Sequence, residues 1–265
     1  MSGKTAISWT DMTWNPTTGC TRVTAGCREC YAFTLHDMRH EAYKKHGGVY
    51  PKTGKPMPKQ YALPFSAIQL LPERLEDPLH IRQPQKIFVD SMADLFHSKV
   101  PDDYIFNVFA VMRRAHWHTF QILTKRPGRL RQLGPRLPWA DNIGIGVSIE
   151  LDELCVRADA LRPLPAGFRF LSCEPLLGPL PSLDLTNIDW VIAGGESGPN
   201  ARPCNPDWVR AIRDKCIATN TSFFMKQMGT VWARKYHLTN RHGDEISKWP
   251  EDLRIQDFPS TLGGR

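Results

Sequence analysis

The chain has 265 residues, 41% of them hydrophobic and 23% charged, with a formal net charge of +7. That length suits one large domain or two small ones, and no apolar run approaches the roughly 18 residues needed to span a bilayer. Seven cysteines, an odd number, behind a start (Met1-Ser2-Gly3-Lys4-Thr5) with no apolar signal region, point to reduced thiols and a metal site in the cytoplasm rather than to secreted disulfides.

A short first strand is expected near Ala6 to Trp9, followed by a loop over residues 18–31. Cys20, Cys27 and Cys30 fall in this loop with the spacing Cys-x6-Cys-x2-Cys. The two-residue gap lets both later sulfurs turn toward one metal centre. Gly19 and Gly26 each precede a cysteine, where the loop must bend. The next cysteine is Cys155. Three thiolates can hold three irons of a [4Fe–4S] cluster and leave the fourth open, whereas a purely structural cluster takes four ligands. An open coordination position is the mark of a site that does chemistry. The alternative is a structural zinc knot, with His36 or His40 completing a Cys3His set.

From Tyr31 to about Lys45, the positions Ala32, Leu35, Met38 and Ala42 recur with helical period, and Gly47-Gly48 stops the helix. Residues 46–85 are proline-rich and without period. Arg39, Lys44, Lys45, Lys52, Lys55 and Lys59, interleaved with Tyr43, Tyr50 and Tyr61, suit contact with phosphates and bases. A solvated loop with ordinary lysines is the equal alternative.

Beyond that the chain becomes regular. Short apolar runs recur at 86–90, 120–124, 143–148, 168–172, 189–194 and 222–226, as buried parallel strands do. Helices are expected at about 102–115, 127–133, 151–162 and 206–219, the last with Asn205 as cap and Pro206 in its first turn. Residues 176–188 read as a loop. The fold class is therefore α/β: a full or partial (β/α) TIM-like barrel of about six to seven parallel strands. A doubly wound open parallel sheet is the alternative. The expected organisation is a barrel over 1–230, with the cysteine loop at 18–31 and a basic insertion at 39–85. A C-terminal extension over 231–265 packs on it.

Ligands of such folds sit at the carboxyl ends of strands. Here those ends carry Asp90-Ser91-Met92-Ala93-Asp94, Thr124-Lys125-Arg126, Ser148-Ile149-Glu150, Ser172-Cys173-Glu174, Gly194-Gly195-Glu196-Ser197 and Lys226-Gln227. Burying so many charged groups costs several kcal/mol unless each finds a partner. As a set they point to a binding mouth. Alternation sends Cys173 and Glu174 to opposite faces, so one of the two belongs to the core.

The cysteine loop resembles that of radical S-adenosylmethionine enzymes, with a first gap three residues longer than their commonest spacing. The whole chain resembles a phage- and prophage-associated three-cysteine family. The strings that carry this are Thr13-Trp14-Asn15-Pro16-Thr17-Thr18-Gly19-Cys20, Asp90-Ser91-Met92-Ala93-Asp94-Leu95-Phe96-His97, Gln121-Ile122-Leu123-Thr124-Lys125-Arg126-Pro127 and Gly194-Gly195-Glu196-Ser197-Gly198-Pro199. The resemblance implies a [4Fe–4S] cluster on Cys20, Cys27 and Cys30, with S-adenosylmethionine across the barrel mouth. Asp90, Ser91 and Asp94 would contact its amino group, although the usual Gly-Gly-Glu string is absent at that point. Ser148 and Glu150 would suit the ribose, and Gly194, Gly195 and Glu196 a close backbone approach. Lys125 would balance a carboxylate, and Cys173 beside Glu174 would act in catalysis or belong to the core. The implied partners are a flavodoxin or ferredoxin as reductant and DNA or a nucleotide as substrate, such as a hypermodified pyrimidine in phage DNA. A small-metabolite substrate and a zinc-stabilised nucleic-acid-binding module remain as alternatives.

Overall fold

The computed structural model describes residues 3–263. In chain order the strands are β1 (Gly3–Lys4), β2 (Met12–Trp14), β3 (Thr17–Thr18), β4 (Gln69–Leu70), β5 (Lys86–Val89), β6 (Thr119–Thr124), β7 (Ile143–Ser148), β8 (Phe168–Cys173), β9 (Trp190–Gly194) and β10 (Ser222–Gln227). β3 and β4 pair as a small ribbon, and the other eight form one sheet in the order β1-β2-β5-β6-β7-β8-β9-β10. Within this sheet every pairing from β2 to β10 is parallel and only β1 is antiparallel; the β3–β4 ribbon is antiparallel. The order advances one way without reversing. That is the winding of a partial (β/α) barrel and not of a doubly wound sheet, whose order reverses at a switch point.

The sheet curls. The Trp9 ring lies 4.7 Å from that of Phe88 at one side and 6.3 Å from those of Phe170 and Trp190 at the other. β10 pairs with neither β1 nor β2 among the described residues, so the barrel stays open. Its free edge instead meets the C-terminal segment: Gln256 bridges Phe224, and Met225 N donates to Ile255 O at 2.8 Å. Trp249 and Leu253 of this segment are buried in the core.

The helices are α1 (Tyr31–Lys45), α2 (Asp102–Arg114), α3 (Pro127–Leu133), α4 (Pro206–Thr219), α5 (Thr230–Lys235) and α6 (Ser260–Gly263). Their ends follow from local chemistry. α2 carries Asp102 and Asp103 in its first turn and Arg113 and Arg114 in its last, which suits the helix dipole. α4 starts where Asn205 Oδ1 accepts from Asp207 N at 2.9 Å and stops at Asn220, whose φ of +54° is left-handed. Among the described residues no helix is long and apolar enough to cross a membrane.

Two local expectations are corrected. Residues 6–7 are irregular and 8–9 form a turn, and the first parallel strand is Met12–Trp14; Trp9 turns inward to join the aromatic cluster. The helix expected at 151–162 is a run of tight 3₁₀ turns over Asp152–Ala160. Cys155, Arg157, Ala158 and Ala160 are buried within it, and Leu161 N donates to Ala158 O at 2.9 Å, the three-residue bond of a 3₁₀ turn.

Alternation along each strand divides the interior. One set of side chains (Ile87, Ile122, Ile145, Leu171, Val191, Met225) packs against the helices. The other set (Phe88, Phe168, Phe170, Trp190, Ile192, Phe224) fills the bottom of the curled sheet, each large ring contributing about 2–3 kcal/mol by burial. β7 turns glycines to this side because the space is taken: a Cβ on Gly144 would lie 2.0 Å from Phe168, and one on Gly146 2.5 Å from Phe170.

Candidate active site

Above the aromatic floor, the same inward positions change character two residues further along each strand. Phe88 is followed by Asp90, Gly146 by Ser148, Phe170 by Ser172 and Glu174, and Phe224 by Lys226. These polar residues line a cavity of about 1320 Å³ at the carboxyl ends of β5–β10. Of the sequence-predicted residues, Cys20, Cys27, Cys30, Asp90, Ser91, Asp94, Lys125, Ser148, Glu174, Gly195 and Glu196 all line it. Glu150, Cys173 and Gly194 are not among the lining residues.

The loop that carries the three thiols is fastened at four places. Gly19 N donates to Met92 O at 3.1 Å and Cys20 N to Phe65 O at 2.9 Å. Only glycine fits at position 19, where φ is +99° and a Cβ would lie 2.2 Å from Ala67 O. Arg126 Nη2 donates to Thr21 O and Oγ1 at 3.1 and 2.9 Å, and His97 Nε2 meets Thr21 Oγ1 at 3.0 Å. Thr24 Oγ1 donates to Glu150 Oε1 at 3.0 Å. Arg202 Nη2 donates to Ala25 O at 2.9 Å while its guanidinium grips Glu196.

Glu150 therefore lies behind the loop rather than in the cavity. It is fully buried and also accepts from Lys125 Nζ at 2.5 Å and Arg157 Nη1 at 3.1 Å. Its carboxylate occupies the space that a Cβ on Gly26 would need, at 2.5 Å. Glu150, expected to suit the ribose, is thus a buried tie between the cysteine loop and the end of β7. Cys173 is fully buried on the helix-facing side, because alternation sends Ser172 and Glu174 inward. Burial pushes its thiol well above the ordinary value. The glycines at 194 and 195 answer to protein neighbours: a Cβ on Gly194 would lie 2.6 Å from Glu174 Oε1, and one on Gly195 2.3 Å from Met228 O.

The rest of the rim is electrostatically uneven. Asp90, with φ of +58°, accepts from Thr17 N at 3.1 Å and Thr17 Oγ1 at 2.7 Å. Burial raises its carboxyl to about 7 despite these bonds. Asp94 accepts from Thr124 Oγ1, Phe96 N and Lys125 N at 2.7–3.0 Å. Burial opposes ionisation of Glu196, but Arg202 outweighs it and holds the carboxyl below its usual value. Burial, reinforced by Asp94, pushes the Cys20 thiol up to about 11. Burial and then Arg126 lower His97, which is neutral at pH 7; Lys99 N donates to its Nδ1, leaving Nε2 to donate to Thr21.

On the far wall, Lys226 Nζ lies 3.0 Å from Glu174 Oε1, an oxygen without an aligned hydrogen bond. Thr18 Oγ1, buried and lining the cavity, has no partner either. Thr18 had no role read from the sequence, although it lies close to Cys20 in the chain; Ser172 and Gln227 stood among the strand ends without individual roles. Alternation brings Ser172 inward on β8, whereas Gln227 reaches the cavity past the register irregularity between Met225 and Gln227.

The donor set can be tested against the implied groups. All seven cysteines are free, and three of them, from one loop, line one cavity with acidic and hydroxyl acceptors facing them. Soft thiolates of this number suit an iron–sulfur cluster. The buried Thr18 hydroxyl and Glu174 Oε1, both short of a hydrogen bond in the cavity lining, suit a polar ligand beside it. The histidines of the zinc alternative are turned elsewhere: His36 Nε2 meets Leu63 O at 3.0 Å and His40 Nδ1 meets Tyr61 O at 2.8 Å. Among the described residues, no three His, Cys, Asp or Glu side chains are grouped so as to hold a single metal ion.

A family model described as "Protein of unknown function (DUF5131)" matches residues 4–250. No curated protein matches the chain. Among solved structures, the chain is similar to "Spore photoproduct lyase complexed with dinucleoside spore photoproduct", at 10% identity and a TM-score of 0.40. The match covers 81% of this chain and 63% of that one, so this chain spans less than two thirds of its length.

Proposed function

The chain belongs to the DUF5131 family, and from that premise we propose that it is a radical S-adenosylmethionine enzyme. In this reading Cys20, Cys27 and Cys30 hold a [4Fe–4S] cluster, and S-adenosylmethionine lies between them and the strand ends. The observation that carries it is that three thiols of one loop line the cavity onto which the polar ends of six parallel strands open. A cluster held by Cys20, Cys27 and Cys30 would supply the one-electron reduction that S-adenosylmethionine cleavage and hydrogen-atom removal from the substrate require.

The residues of this chain bind, orient and exclude water. Asp90, Asp94, Ser148 and Ser172 present acceptors and hydroxyls around the mouth. Glu174 and Lys226, an ion pair in the cavity lining, meet a polar ligand as a pair. The Trp9, Phe88, Phe170 and Trp190 floor keeps water from below, which protects a reactive intermediate. The substrate in this reading is a nucleic-acid base, such as a modified pyrimidine in phage DNA. The net charge of +7 and the exposed lysines at 44–59 support it. A flavodoxin or ferredoxin in the cytoplasm would supply the electron.

The test is anaerobic purification with iron and acid-labile sulfide analysis, followed by reduction in the presence of S-adenosylmethionine. A brown protein that releases 5′-deoxyadenosine is expected. A colourless chain without sulfide-bridged iron overturns the reading.

A further inference from the structure

The apolar positions of α1 do not all face the core. Ala32, Phe33 and His36 are buried, against Phe65 and Tyr61. Leu35, Met38 and Ala42, one turn apart on another face, line the cavity without being buried, and Met38 is 61% exposed. Tyr31, at the start of that face, is 51% exposed. The cavity thus runs on from the strand ends as a groove along α1, a helix about 22 Å long.

The far end of the groove is a small hairpin, where the sequence suggested only an irregular loop. Tyr50 N donates to Lys55 O at 2.8 Å and Met57 N to Gly48 O at 2.8 Å. The turn places Tyr50 in the groove lining, 43% exposed. Arg39 lines the groove, and Lys45, Lys52 and Lys59 adjoin the lining residues His46, Pro51 and Pro58 in the chain; these lysines and Lys55 of the hairpin are exposed and without an ion pair among the described residues. Lys44 pairs only with Glu41, at 2.6 Å.

We infer that this groove binds a single strand of nucleic acid and leads one of its bases toward the cavity; the base's destination rests on the function proposed above. Exposed rings and a thioether offer flat apolar surfaces to unstacked bases, and unpaired cations flank them where a backbone would run. A duplex keeps its bases stacked and paired, so it offers phosphates to the lysines and nothing to Tyr31, Met38 and Tyr50.

The test is fluorescence anisotropy with a labelled oligonucleotide of about 12 nucleotides, single-stranded or annealed to its complement, from about 50 to 200 mM salt. It uses the purified chain without S-adenosylmethionine or reductant, so it succeeds or fails independently of cluster chemistry. The single strand is expected to bind more tightly than the duplex. Tyr50→Ala is expected to weaken strand binding about tenfold with little change in salt slope. The double variant Lys52→Glu/Lys55→Glu is expected to weaken it at least about tenfold and to reduce the slope by about 1.4, for two phosphates. Lys248→Glu, an exposed lysine outside the groove, serves as the charge control. Equal affinity for duplex and strand, or equal losses in the control, would overturn the inference. So would unchanged strand affinity in the groove variants, including the case where those variants lose only an acidic redox partner.

Discussion

On the cysteine-loop side of the cavity, the buried charges are engaged with protein. Glu150 takes bonds from Thr24, Lys125 and Arg157, and Glu196 is held by Arg202, which also reaches the loop backbone at Ala25. Across the cavity, Glu174 and Lys226 face each other at 3.0 Å with one oxygen poorly bonded, and Ser172 reaches Glu174 only at 3.3 Å. A carboxylate surrounded by donors fixes a shape; one left short of donors at a cavity wall can accept them from a ligand. The lesson is that charge near a site does not by itself mark contact with a ligand. What separates the two walls is how completely each charge is satisfied.

The sharpest break between the walls is a thiol. Cys27→Ala should lower iron and sulfide content by more than about tenfold, since two cysteines cannot hold the cluster. Normal iron content in that variant would remove the loop from the chemistry. Next in size, Glu150→Ala leaves Arg157 and Lys125 without their buried partner and should cost about 3–5 kcal/mol in urea unfolding. A cost near zero would make Glu150 a ligand contact after all.

Asp90 belongs to neither wall cleanly, and pH separates it. Its carboxyl is raised from 3.8 to about 7 by burial, so the folded chain holds this proton more tightly than the unfolded one. The stabilisation is present in full below about 3.8 and is lost as pH rises toward about 7, on the order of 4 kcal/mol at most. Asp90→Asn keeps an acceptor for Thr17 N and should flatten the wild-type decline in stability between about pH 4 and 7. An undiminished slope would show that other groups carry it.

Smaller effects test the fit of the two walls. Gly26→Ala, with its Cβ 2.5 Å from Glu150 Oε1, should cost about 1–3 kcal/mol by forcing the loop off β7. Glu174→Gln should change stability by less than about 1 kcal/mol while weakening S-adenosylmethionine binding about tenfold in equilibrium dialysis. The reverse pattern, stability lost and affinity kept, would assign Glu174 to the scaffold.

Much of this architecture was legible beforehand. Short apolar runs separated by helical segments locate β5–β10, and the cap Asn205-Pro206 marks the start of α4. The 3₁₀ turns of Asp152–Ala160 were not legible, because the apolar pattern there suits an ordinary helix as well. For α1, spacing gave the helix its correct bounds without telling which apolar face was covered. Met38 and Ala32 look alike in a periodic pattern, and only the neighbours at Tyr61 and Phe65 decide between them.

By itself the sequence determined the periods: strand, helix, the cysteine spacing, and polar residues at strand ends. These are local properties, set by side-chain alternation and backbone preference within a few residues. The tertiary structure alone decided that Glu150 supports the loop, that Cys173 faces the helices, and that Glu174 keeps a buried oxygen beside Lys226 without an aligned hydrogen bond. Each of those outcomes depends on donors, rings or backbone brought from distant parts of the chain, and no local pattern encodes how fully a buried charge will be satisfied.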